Sequence, residues 1–165
     1  MAVFNQWFRS ALLMLTSALA LASGIAWAQS NTRVTAGQVT AAILASPNAS
    51  AQLQSYANAI GNLAMFESGG QLSVYNGSCC YGVLQMNTRN IATISPPVTP
   101  EQFRQLPLQQ QVNAWATVMS DALRTGVPAR LASMTTFDGR PVTPSLVLAC
   151  VCLLYTSDAA DERSS

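Results

Sequence analysis

From Leu53 to Ala64 apolar side chains recur at intervals of three and four (Leu53, Tyr56, Ala57, Ile60, Leu63, Ala64), and the pattern ends at Gly69-Gly70. A stripe of that period can be buried only as one face of a helix, and paired glycines supply the left-handed conformation that ends one. The spacing therefore predicts a helix from about Ser50 to Glu67. A shorter helix precedes it, opened by the capping-box pattern Thr35-Ala36-Gly37-Gln38, carrying Val39, Ala42 and Ile43, and ending near Ser46-Pro47. Asn76-Gly77, between Val74-Tyr75 and Tyr81 to Leu84, predicts a small hairpin directly after the long helix. Thr99-Pro100-Glu101-Gln102 reads as another helix start, and Val112, Trp115, Ala116, Met119, Ala122 and Leu123 mark a longer helix from Pro107 to near Thr125-Gly126. Residues 127–140 read as a connection with a turn at Asp138-Gly139, and Thr143-Pro144 opens a last helix. The fold class expected is α+β, mainly α, in one domain over residues 29–151.

Residues 1–28 read as a secretory signal peptide. Arg9 precedes an apolar run from Ala11 to Ala22, and Ala26-Trp27-Ala28 forms a small-x-small cleavage site. An uncleaved anchor is the alternative, since no charge falls between Arg9 and Arg33. With cleavage, the mature chain is exported to the periplasm or the extracellular space and keeps no stable membrane span.

The chain has no histidine and no lysine. Histidine triads and histidine-ligated metals are thereby excluded, and proton transfer near neutral pH falls to a carboxylate of raised pKa. Residues 29–151 hold six arginines and four acids (Glu67, Glu101, Asp121, Asp138), a balance too even for a nucleic-acid partner. Export favours disulfides; adjacent Cys79 and Cys80 bridge each other with difficulty, so a bond from one of them to Cys150 is the expected pairing. Two adjacent thiols lack the spacing of a zinc site, so neither a metal nor a cofactor is expected.

Glu67 falls where the stripe calls for another apolar residue. An inward carboxyl at the last turn of a helix is disfavoured as an anion by burial and by the helix dipole, leaving the protonated acid that glycosidic cleavage needs. The plainer alternative is a solvated acid at a helix end.

Glu67-Ser68-Gly69-Gly70 together with Tyr81-Gly82-Val83-Leu84-Gln85-Met86 resembles the lytic transglycosylase and goose-type lysozyme superfamily. There an E-S-G-G helix end supplies the acid and a G-L-M-Q-like strand lies across the cleft. The resemblance implies a lysozyme-like domain acting on peptidoglycan glycan strands. Glu67 would be catalytic, with Ser68 hydrogen-bonding near it and Gln85 lining the sugar cleft. Tyr81 and Asn87 border that strand as further substrate contacts. The family's third motif, an aromatic-Asn-x-Gly segment facing the acid, is altered here to Leu148-Ala149-Cys150-Val151, which puts turnover by this chain in question. Residues 152–165 read as a non-native tail, because Cys152 to Glu162, CLLYTSDAADE, resembles a translated sequencing adapter.

Of the other acids, Glu101 opens a helix, Asp121 lies off an apolar stripe, and Asp138 sits in a turn where it is the best spare second carboxylate. Without a second acid, the resemblance implies the transglycosylase route with 1,6-anhydro products. The alternatives are a hydrolytic lysozyme and a non-catalytic peptidoglycan-binding component; a secretion or conjugation apparatus is the partner that reading leaves open.

Overall fold

The structure, a computed structural model, describes residues 33–161, with side chains to residue 153; the expected signal peptide lies outside them. Helix α1 spans Ala36–Leu44, and Thr35 and Gln38 form the reciprocal cap that the sequence encodes. The expected single helix after it is two: α2, Ala51–Ser55, capped by the Ser50 side chain, and α3, Ala57–Ser68. Tyr56 breaks them at φ −94 and ψ 3; Leu53 before the break and Ile60 after it are both fully buried. Close crossing of α1 and α3 depends on Gly61, where a Cβ would sit 2.5 Å from Ala36 O and from Thr40 Oγ1.

Two antiparallel pairings follow α3: the one that the Asn-Gly signal predicts, between residues 74–75 and 81–82, and a second one directly after it. Strands β1 (Cys80–Tyr81) and β2 (Met86–Asn87) pair antiparallel, Cys80 opposite Asn87 and Tyr81 opposite Met86. Residues 82–85 turn between them, with Gly82 at φ 78 and Gln85 at φ 46. On the other side of β1, Tyr75 bridges Tyr81 and Gly82 N–H donates to Val74 O at 2.8 Å. The Asn76 side chain shapes the loop of the first pairing: its Oδ1 accepts from the N–H groups of Ser78 and Cys79 at 3.0 Å and of Cys80 at 3.2 Å. That wraps residues 76–80 into a nested loop between Tyr75 and Tyr81. Within the loop Cys79 and Cys80 are disulfide-bonded to each other. This corrects the expected bond to Cys150, which is a free thiol on the last helix, packed against the core. The loop's tight curvature brings the neighbouring sulfurs together.

Short helices α4 (Thr88–Ile91) and α5 (Pro100–Phe103) follow, then α6, Leu108–Ala122. The expected helix start at Thr99 is present as a capping box with Gln102. A further helix, α7 (Gly126–Ala132), occupies what reads as a connection; Pro128 falls in its first turn, where a missing N–H costs nothing. Strands β3 (Thr136–Phe137) and β4 (Arg140–Pro141) close over Asp138-Gly139. Helix α8 runs Pro144–Asp161. It does not stop near Val151, because residues 152–161 contain neither glycine nor proline. The described chain is thus α+β and mainly helical, and no helix among the described residues is long and apolar enough to cross a membrane.

One core joins these elements, with Ile43, Leu53, Ile60, Phe103, Val112 and Val147 almost fully buried. Gln111 of α6 lies inside it at 1% exposure. Its Oε1 accepts from Val83 N–H at 2.9 Å, and its Nε2 donates to Leu72 O at 3.0 Å and Leu106 O at 2.9 Å. Gly82 gives it room, since a Cβ there would collide with Gln111 Oε1 and approach Phe103 Cε1 to 3.0 Å. Replacing Gln111 with leucine strands two buried backbone groups, Val83 N–H and Leu72 O, each worth about 1–3 kcal/mol when unsatisfied, and frees the part-buried Leu106 O. Gln111→Leu is therefore expected to lower unfolding free energy by ~3 kcal/mol or more, read from the denaturant midpoint at unchanged slope. A loss below about 1 kcal/mol contradicts this reading.

Candidate active site

Glu67 is the penultimate residue of α3, in the turn that ends at Gly69 in the left-handed region, φ 61. The apolar stripe continues through Ala64 to Ser68, both buried, while Glu67 stands on its shoulder, half-buried. The carboxyl is therefore neither in the core nor free in water. Burial holds its pKa above the ordinary carboxylate value, and no neighbouring charge among the described residues contributes to that shift.

Gly69-Gly70 does more than end the helix. Val34 N–H donates to Gly70 O at 2.9 Å, and Arg33 Nη1 donates to Gly69 O at 3.0 Å. A Cβ on Gly70 would overlap Val34 O, so the glycine pair lets residues 33 and 34 lie across the end of α3. Arg33 thus places a cation at the negative end of the helix dipole, a role that only the folded contact reveals.

Ser68 is buried, and its hydroxyl is committed to backbone. It shares its proton between Ala64 O at 2.9 Å and Val83 O at 2.8 Å, and accepts from Gly70 N–H at 3.0 Å. The residue beside the acid therefore ties the end of α3 to the 82–85 turn. Two residues along that turn, Gln85 adopts φ 46, a strained region for a side chain with a Cβ. Its Nε2 donates to Gly82 O at 2.9 Å, leaving the buried Oε1 with no hydrogen-bond partner. A strained backbone and an unsatisfied acceptor occur here in one residue.

The structure gives Tyr81 and Asn87 internal partners. Tyr81 stacks on Tyr75, ring centroids 4.5 Å apart at 19°, and its phenol is held above its ordinary pKa by desolvation, then by Tyr75 and Glu101. Asn87 caps α4, its Oδ1 accepting from Asn90 N–H at 2.8 Å, so its free amide N–H group alone is available to a ligand. Among the spare acids, Glu101 lies in the first turn of α5, Asp121 pairs with Arg124, and Asp138 is exposed at the β3–β4 turn.

Cys152, which reads from sequence as part of a foreign tail, lies on α8 within electrostatic reach of Glu67: burial first, and then the Glu67 charge, raise its thiol pKa. No motif marks it, and only the continuation of α8 past Val151 brings it there. The aromatic nearest the acid in the chain, Phe66, points outward and is 88% exposed. A cavity of about 440 Å³ opens elsewhere, between α6 and residues 93–98, and none of the five residues singled out from the sequence lines it. No group of three or more Cys, Asp or Glu among the described residues is placed to hold a metal ion. Comparison with protein-family models, curated proteins and solved structures finds no match.

Because burial raises the Glu67 pKa, the folded protein holds that proton more tightly than the unfolded chain, and ionisation costs stability as pH rises through the raised value. Below the ordinary glutamate value, about 4.3, both states are protonated and the cost vanishes. Glu67→Gln is therefore expected to raise the Tm at pH 7 and to leave it unchanged at pH 3.5; an equal or lower Tm at pH 7 contradicts the placement of the carboxyl.

Proposed function

We propose that this chain is a lysozyme-like peptidoglycan lytic transglycosylase, exported to the cell envelope, with Glu67 as its single acid and base. The observation that carries this reading is the half-buried Glu67 carboxyl, kept toward its neutral form by burial and joined through Ser68 to the turn that presents Gln85. A neutral acid can donate a proton to the oxygen leaving between N-acetylmuramic acid and N-acetylglucosamine. The substrate's own acetamido oxygen then stabilises the cationic anomeric carbon. Glu67, now ionised, removes the proton from the 6-hydroxyl, whose oxygen bonds to that carbon and closes a 1,6-anhydro ring. One proton leaves Glu67 and one returns, so the cycle needs no second carboxylate and no water. No other acid perturbs Glu67 among the described residues, which favours this route over water-dependent hydrolysis.

A second reading, a wall-binding component that holds glycan without cleaving it, is supported by Leu148-Ala149-Cys150-Val151 standing where the resemblance calls for an aromatic-Asn-x-Gly segment facing the acid. Incubating the full chain with purified peptidoglycan and weighing the soluble products separates these readings. Anhydro-muropeptides are expected, with release slowed at least ~100-fold in Glu67→Gln, the scale of a lost general acid. Products with reducing ends overturn the transglycosylase route in favour of hydrolysis, and adsorption without products overturns the catalytic reading.

A further inference from the structure

The cavity of about 440 Å³ beside α6 shares no residue with the Glu67 site. Its polar lining comes from the loop before α2 (Asn48), the 93–98 segment (Thr93, Ser95) and one face of α6 (Gln110, Asn113, Thr117). Its apolar lining includes Ile94, Val98, Leu106 and Ala114, all partly buried and packed on the core. No charged residue contributes. An ionic ligand would give up its hydration there with no counter-charge to replace it, so the cavity suits a neutral one.

The hydrogen bonds already made define what such a ligand can find. Thr93 and Thr117 donate their hydroxyl protons to Asn90 O at 2.8 Å and Asn113 O at 3.1 Å. Asn48 Nδ2 also donates to Asn113 O at 3.1 Å, and Asn113 Oδ1 accepts from Gln109 Nε2 at 2.9 Å. Those bonds orient the two asparagines and leave one end of each amide open: Asn48 keeps its Oδ1 and Asn113 its Nδ2. Gln110 adds a whole amide, exposed and without a partner among the described residues. The result is an acceptor and donors set around an apolar strip. The volume lies near the small end of ligand pockets, about 300–1,000 Å³, enough for a single sugar ring with one substituent. No aromatic residue lines it, so a ring cannot be held by stacking, and apolar affinity must come from a small aliphatic group.

We propose that this cavity binds a neutral N-acetylated amino sugar, its acetamido methyl against Ile94, Val98, Leu106 and Ala114 and its amide and hydroxyls on Asn48, Gln110 and Asn113. The assignment rests on the cavity's own chemistry and stands whether or not Glu67 cleaves glycan. If it does, the cavity is a second hold on the same strand.

The test uses the full chain carrying Glu67→Gln, so that nothing is turned over, labelled with ¹⁵N and titrated with the trimer of N-acetylglucosamine. Saturable shifts are expected in the side-chain amide signals of Asn48, Gln110 and Asn113. The glucose trimer, which lacks the acetamido group, and the glucosamine trimer, which carries charge, should bind at least tenfold more weakly. Ala114→Leu, which fills the cavity, is expected to weaken binding at least tenfold; Gln110→Ala, on an exposed side chain, tests the same site without touching the core and should weaken it several-fold. No saturable shift at those amides overturns the proposal, as does equal binding of the glucose trimer. Cleavage of peptidoglycan by the unsubstituted chain is read separately, so either result can fail alone.

Discussion

The Val83 peptide unit is held from both sides by buried side chains of two different helices: its N–H by Gln111 of α6 and its C=O by Ser68 of α3. Val83 itself is fully buried, so neither bond competes with water, and losing either would leave a backbone group unsatisfied in the interior. Everything proposed for the site depends on this double clamp. It sets the 82–85 turn at a fixed distance from the end of α3, and so fixes Gln85 relative to Glu67. Gly82 is required by the same arrangement, both for its positive φ and because a Cβ would displace the Gln111 amide.

That clamp also accounts for where strain is stored. The turn is pinned at Val83 and joined to β2 at Met86, and of the two residues between, Gln85 takes φ 46. Gln85 adopts it at a cost of order 1 kcal/mol or more, while one end of its amide is spent on Gly82 O and the other stays unsatisfied. Glu67 is tuned more simply. Glu67 has no cation and no acid acting on it among the described residues, and partial burial alone pushes it toward the protonated form.

Local signals carried much of this architecture. The capping boxes at Thr35 and Thr99, the stripe that becomes α3 and the one that becomes α6 all form where residue spacing puts them, because each is decided within a few residues of itself. Where sequence reading failed, a contact distant in the chain had decided the outcome or a local signal misled. Tyr56 splits one helix into two, the β1–β2 pairing adds a second hairpin after the expected one, and Pro128 disguises the start of α7. The position of Glu67 at the helix end was legible, but its exact depth was not: the period places residue 67 on the apolar face, whereas Ser68 takes the buried position and leaves the acid on the shoulder. The functions of Ser68, Gln111 and Cys152 as neighbours of the site arise from partners 15, 28 and 85 residues away in the chain, beyond the reach of any local pattern.

The account turns on whether Glu67 keeps its proton above the range of an ordinary glutamate. A carbon-detected NMR titration of the side-chain carboxyl, with ¹³C-labelled glutamate and the Glu67→Gln protein to assign the resonance, measures this directly. The account predicts a midpoint above that of Glu101 in the same spectra and above the ordinary value of about 4.3. A midpoint at or below that value would mean an anion at every physiological pH, and would contradict the role of Glu67 as the acid.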